Sequence, residues 1–175
     1  MNTEKELYND YSIKISSIAQ GKQMLNFDVP RDFFELLFDD SDFSGTFKLE
    51  LILDRNNHVF NLEFFFSGKY SGNCNRCLAP LERDASFNEA MVVKETEYGE
   101  GEDTDEIIFI DIKDESINIA QLIYEFCRVH YPLRFIHENE GDCDQSVIDK
   151  LNADEEENTS ETEVDPRWAA LNKLK

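Results

Sequence analysis

FKLELILDRNNHVFNLEFFF, residues 47–66, decides how this chain folds. Phe47, Leu49, Leu51 and Leu53 alternate with Lys48 and Glu50. Phe60, Leu62, Phe64 and Phe66 alternate around Asn61 and Glu63 in the same way. Successive side chains of a strand point to opposite faces, so a period of two gives each segment one apolar and one wet face. The link DRNNH, residues 54–58, is turn chemistry. Two alternating runs around such a turn predict an antiparallel hairpin with one buried face.

Working outward, residues 11–15 and 22–29 read as short strands separated by a turn at Gly21, and residues 1–10 as a loose arm. Pro30 opens PRDFFELLF, a short amphipathic helix with proline at a permitted first position. Downstream, residues 85–97 read as a strand with Phe87, Met91 and Val93 on one face. YGEGEDTD, residues 98–105, is an acidic loop, and IIFIDI, residues 107–112, a further strand. Ser116 is placed as the cap of a helix whose Ile119, Leu122, Ile123 and Phe126 share one face. Pro132 stops or re-routes the chain. The expected class is α+β over residues 1–150: mostly antiparallel β-sheet, or a partly open barrel, with one or two packing helices.

Composition agrees with one packed domain plus a tail. Of 175 residues, 41% are hydrophobic and fourteen are phenylalanine, enough for a sizeable core. There is no apolar run of eighteen residues, so no membrane span is expected. The opening MNTEKELYND has neither the basic nor the apolar segment of a secretory leader, and a cytoplasmic location is expected. The formal charge of −21 disfavours the phosphate backbone of nucleic acids and favours a basic protein partner. The serine-hydrolase, P-loop, zincin and dinucleotide-binding fingerprints are all missing, so no enzyme activity is expected.

The tail begins with ADEEENTSETEVD, residues 153–165, in which seven of thirteen residues are acidic. Such a segment cannot bury enough surface to offset its ordering entropy. An acidic disordered linker is therefore placed over residues 151–164, with a reach of about 20 Å. DPRWAALNKLK, residues 165–175, follows as an amphipathic helix. Asp165 can cap it and Pro166 open it, while Trp168, Leu171 and Leu174 share a face. A helix this short is marginal alone in water and needs a surface. That surface is either its own domain or a partner, on which Trp168 anchors and Arg167 adds directed charge. The flexible tether favours the partner.

CNRC, residues 74–77, is a C-x-x-C turn. In a cytosolic chain it reads as half a metal site, a redox pair or a turn with unligated thiols. A structural zinc takes four ligands. His137 and Cys143, in HENEGDC, can complete a Cys3His set with Cys74 and Cys77. The redox reading needs a helix starting at the motif, and here the flanks read as strands. Cys127, on the amphipathic helix, reads as a small core residue. His58 reads as a solvent-facing turn residue, and His130 as a satisfied core or surface histidine.

CNRCLAPLERD, the later helix leading to a proline and a cysteine region, and the ending DPRWAALNKLK together resemble the YceD family of bacterial large ribosomal RNA accumulation proteins. The resemblance covers nearly the whole chain. It implies a role in accumulation or maturation of large-subunit ribosomal RNA. With the acidic charge and the terminal helix, the expected partner is a large-subunit ribosomal protein or assembly factor, with an indirect link to ribosomal RNA. The family pattern carries over to Cys74, Cys77 and Cys143, and to Asp165, Pro166, Arg167, Trp168 and Leu171. Many zinc-binding-looking relatives group several cysteines with glycines in the later region, whereas this chain has Cys143 there and only Cys127 upstream. The assignment of His137 comes from the residues, not from the family. Two rival readings remain: a zinc knuckle binding precursor ribosomal RNA directly, with Arg76 and Arg83 near the phosphates, and a processing nuclease.

Overall fold

In the computed structural model, which describes residues 7–40 and 43–158, a helical turn over residues 7–10 stands where a loose arm was expected. There follow β1 (Ser12–Lys14), a 3-10 turn (Ile15–Ser17), β2 (Gly21–Val29), α1 (Phe33–Phe38), β3 (Ser44–Asn56), β4 (Val59–Asn73) and β5 (Pro80–Thr96). Then come β6 (Ile107–Asp111), β7 (Ser116–Asn118), α2 (Ala120–Val129) and α3 (Gln145–Asn158). The chain divides into two units: Met1–Gly72 with Pro80–Arg134, and Asn73–Ala79 with Phe135–Lys175. Residues 1–150, read as one β-rich domain, thus contribute to both.

The first unit is built on the predicted hairpin. β3 and β4 pair antiparallel from Ser44↔Ser71 to Asn56↔Val59. The alternation works as read: Phe47, Leu49, Leu51, Leu53, Phe60, Leu62, Phe64 and Phe66 are at most 3% exposed. Lys48, Glu50 and Glu63, between them, face solvent. The five-stranded sheet has the order β2-β3-β4-β5-β6. It is open, which sets aside the partly open barrel. β6 runs parallel to β5, from Val92↔Ile107 to Thr96↔Asp111, after the acidic loop carries the chain back. Two carboxylates occupy donors on β6: the Phe109 N–H donates to Asp103 at 2.8 Å and the Asp111 N–H to Asp114 at 3.0 Å. Donors already satisfied by side chains are not offered to another strand.

The helices cover the apolar face. Phe126 of α2 meets Phe64 edge-on at 5.2 Å, and Phe34 of α1 meets Phe47 at 6.4 Å. The two helices touch through Phe38 stacked on Tyr124 at 4.3 Å. Tyr70 anchors α2 by donating its hydroxyl to the Cys127 carbonyl at 2.9 Å.

One expectation is corrected. Ser116 does not cap α2. It lies in β7, paired with Lys14 of β1, so the backbone there is extended. The helix begins only after that ladder ends, and Asn118 takes the Ala120 N–H at 2.9 Å.

The second unit holds the cysteine turn, residues 135–144 and α3. Residues 151–158, the first part of the segment read as linker, belong to α3. Residues 159–164 and the terminal segment 165–175 lie outside the described residues.

Candidate metal centre

The turn between β4 and β5 closes on itself before it meets anything else. The Cys74 N–H donates to the Ala79 carbonyl and the Leu78 N–H to the Cys74 carbonyl, both at 2.8 Å. Closing it places Leu78 in the left-handed region, φ 61°. The Arg76 N–H points at the Cys74 sulfur, 3.4 Å away. A tight turn of this kind holds two thiols on one side, as a shared ligand requires.

The other half arrives from 60 residues downstream. The Asn75 N–H donates to the Phe135 carbonyl at 2.7 Å, and the Phe135 N–H returns to the Asn75 side-chain oxygen at 2.8 Å. This places His137 and Cys143 against the turn. Cys143 ends a 3-10 turn (Glu140–Asp142), donating its N–H to the Glu140 carbonyl at 3.2 Å. Asp144 then caps α3, accepting from the Ser146 N–H at 3.0 Å and its hydroxyl at 2.6 Å, which holds its carboxyl below the usual range.

All four predicted ligands therefore converge. The three sulfurs and the His137 ring lie within 4.8 Å of one another. His137 Nδ1 is 3.6 Å from the sulfurs of both Cys77 and Cys143. Zinc bonds of 2.3 Å to sulfur and 2.0–2.1 Å to nitrogen give tetrahedral S···N and S···S edges of about 3.5 and 3.8 Å. The donor set fits such an ion. Cys74, Cys77 and Cys143 are at most 5% exposed. Burial opposes ionisation of Cys74, but the N–H groups of Cys77, Arg76 and His137 and the Cys77 thiol outweigh it, bringing Cys74 down to about 6. At Cys143 burial prevails, aided by the neighbouring thiols, and its thiol is pushed up. The turn lies between two strands, so it lacks the helix start on which the redox reading depends.

Cys127 stands apart, fully buried in α2 of the first unit, its thiol pushed up by burial. His58 pairs with Glu95 at 2.9 Å; its side chain is 61% exposed, as read. His130 bonds Glu89 at 2.7 Å and stacks on Phe87 at 4.2 Å. Two contributions to the cluster escaped the sequence reading, which named Arg76 only as a phosphate contact in the RNA rival and did not name Asn75. Asn75 joins the halves, and the Arg76 guanidinium reaches the Cys143 sulfur at 3.8 Å. Only their position inside the C-x-x-C marked them. Asp165, Pro166, Arg167, Trp168 and Leu171 lie outside the described residues.

No curated protein and no solved structure matches the chain. The model of the family described as large ribosomal RNA subunit accumulation protein YceD matches residues 62–175, more than half of the chain. That span begins in β4, contains the whole four-residue cluster and runs through the terminal segment, so the chain belongs to the YceD family.

Proposed function

We propose that this chain is a non-enzymatic factor in the accumulation or maturation of large-subunit ribosomal RNA. It acts through a basic ribosomal protein or assembly factor, and Cys74, Cys77, His137 and Cys143 hold a structural zinc. The family match carries the proposal. The charge of −21 supports a basic protein partner over direct contact with phosphate. The two arginines that an RNA reading needs are already engaged. Arg76 contacts Cys143 and Glu140, and Arg83 donates to the Arg134 carbonyl at 3.4 Å.

Zinc at this site supplies a cross-link. It joins residues 74–77 to residues 137–143, beside the Asn75–Phe135 pair and the contacts of Arg76 with Glu140 and Cys143. Among the described residues of the second unit the buried apolar side chains are Phe135 and the three cysteines of the cluster, so metal-binding free energy becomes folding free energy.

The test is depletion of the protein from cells, with the ratio of large- to small-subunit ribosomal RNA as readout. The ratio is expected to fall and to recover on complementation. An unchanged ratio overturns the proposal. Capture of the tagged protein before and after RNase separates the modes: a bound ribosomal protein that survives RNase supports protein contact, and loss of all partners supports RNA.

A further inference from the structure

We infer that Arg76 is a positioning residue of the metal centre, holding the Cys143 thiolate by a charged N–H···S contact and neutralising the excess charge of the loaded site. The inference rests on the zinc reading above. Three thiolates and a neutral imidazole around a divalent ion leave one negative charge, in a cluster whose sulfurs are almost entirely shielded from water. A buried charge without a partner is costly. Arg76 is the cation placed to supply that partner. Its Nη1 lies 3.8 Å from the Cys143 sulfur and 3.5 Å from Glu140, and its side chain is only 24% exposed.

The residue spans the site. Its backbone N–H faces the Cys74 sulfur and its guanidinium the Cys143 sulfur, so one residue links the near turn to the distant ligand. Glu140 pairs with the same Nη1 that reaches Cys143 and lies in the 3-10 turn that precedes Cys143. The planar, multi-donor guanidinium can serve a sulfur and a carboxylate together, whereas a lysine ammonium acts as a single point charge. Outer contacts of this kind orient metal ligands and tune their donor strength.

The experiment uses the full chain loaded with zinc, and with cobalt as a spectroscopic probe. Zinc affinity and release rate are measured by chelator competition, and thiolate-to-cobalt charge transfer by absorbance. Arg76→Met is expected to weaken zinc binding about 10- to 100-fold. It is also expected to shift the charge-transfer band while the tetrahedral cobalt bands remain, and Arg76→Lys recovers part of the affinity. Glu140→Gln, at a side chain 85% exposed, leaves the turn intact and frees one anchor of Arg76, so it guards against misfolding of Arg76→Met. It is expected to speed zinc release roughly 2- to 5-fold. Arg76→Met and Glu140→Gln chains that bind and release zinc within about twofold of wild type overturn the role of Arg76 while leaving the zinc reading intact. A wild-type chain that takes up no zinc overturns both.

Discussion

Asn75 and Phe135, 60 residues apart, hold each other by two hydrogen bonds, one at each end of the exchange. The pair needs no metal, so it can bring the two halves of the cluster together before any ion binds. Phe135 is 2% exposed, and its N–H has the Asn75 side-chain oxygen as acceptor. Asn75→Ala is therefore expected to cost about 1–3 kcal/mol, the range for leaving a buried donor unsatisfied. Asn75→Asp, which keeps an oxygen acceptor, should retain most of that stability. Urea titration of the metal-free chains measures the difference. Equal midpoints for wild type and Asn75→Ala would show that the pair contributes nothing.

On the zinc reading, removing the metal should loosen one unit and spare the other. The first unit has its own core of Phe47, Phe64, Phe66 and their neighbours, and the four residues of the cluster belong to the second. Chelation under reducing conditions is expected to speed amide exchange at Cys74, Leu78 and Cys143 by more than about tenfold. Amides over residues 47–66 should be unchanged. Cys77→Ser should reproduce the pattern without chelator. Exchange measured by mass spectrometry decides the matter; uniform loss of protection across both units would mean that they unfold together.

The fold was most legible where one face decides everything. Phe47 to Phe66 announce their strands because water lies on one side and core on the other. Ser116 misled because a cap signal is local, while its segment is claimed by β1, a hundred residues earlier. The parallel pairing of β6 had no local signature either; it follows from how the acidic loop crosses back. At the site, the four clustered residues were legible because the choice of sulfur and imidazole donors was so small. Arg76 and Asn75 were hidden because their roles depend on partners 60 or more positions away.

Gly68 tests the closeness of the central hairpin. It pairs with Phe47, and a Cβ there would collide with the Thr46 carbonyl oxygen and lie 2.7 Å from the Phe47 Cα. Both obstacles are backbone and cannot rotate away. Gly68→Ala is expected to destabilise by about 3 kcal/mol, the upper end for overpacking. Phe64→Ala, which empties the space against Phe126, should cost a comparable ~3–5 kcal/mol for the opposite reason. Denaturation midpoints report both, and a neutral Gly68→Ala would place β3 and β4 farther apart than described.

Buried phenols make the first unit sensitive to alkali. Tyr11 donates to the Asp28 carbonyl at 2.8 Å and Tyr70 to the Cys127 carbonyl. Burial, reinforced at Tyr11 by Asp10, Asp28 and Asp32, holds both hydroxyls well above their ordinary value of about 10. A group whose folded value is raised contributes stability that is complete below its unfolded value and is lost as pH rises toward the folded one. Each tyrosine should therefore lower stability by about 1.4 kcal/mol per pH unit above 10. Tyr11→Phe should remove one such increment from the slope. Urea midpoints from pH 8 to 11.5 provide the measurement, and a slope unaffected by Tyr11→Phe contradicts the assignment.

The terminal segment offers the sharpest test of the proposed partner. Trp168 is the chain's only tryptophan, on a stretch read as an amphipathic helix with Leu171 and Leu174. An anchor of this type typically contributes about 2 kcal/mol or more when it fills a partner's pocket. Trp168→Ala is then expected to weaken capture of a large-subunit ribosomal protein or assembly factor by roughly 30-fold, with no change in the chain's own melting temperature. If the segment instead packs on its own chain, the order reverses: the melting temperature falls and capture persists. Measuring both on the same protein, with RNase present throughout, separates a docking helix from a helix that closes its own fold.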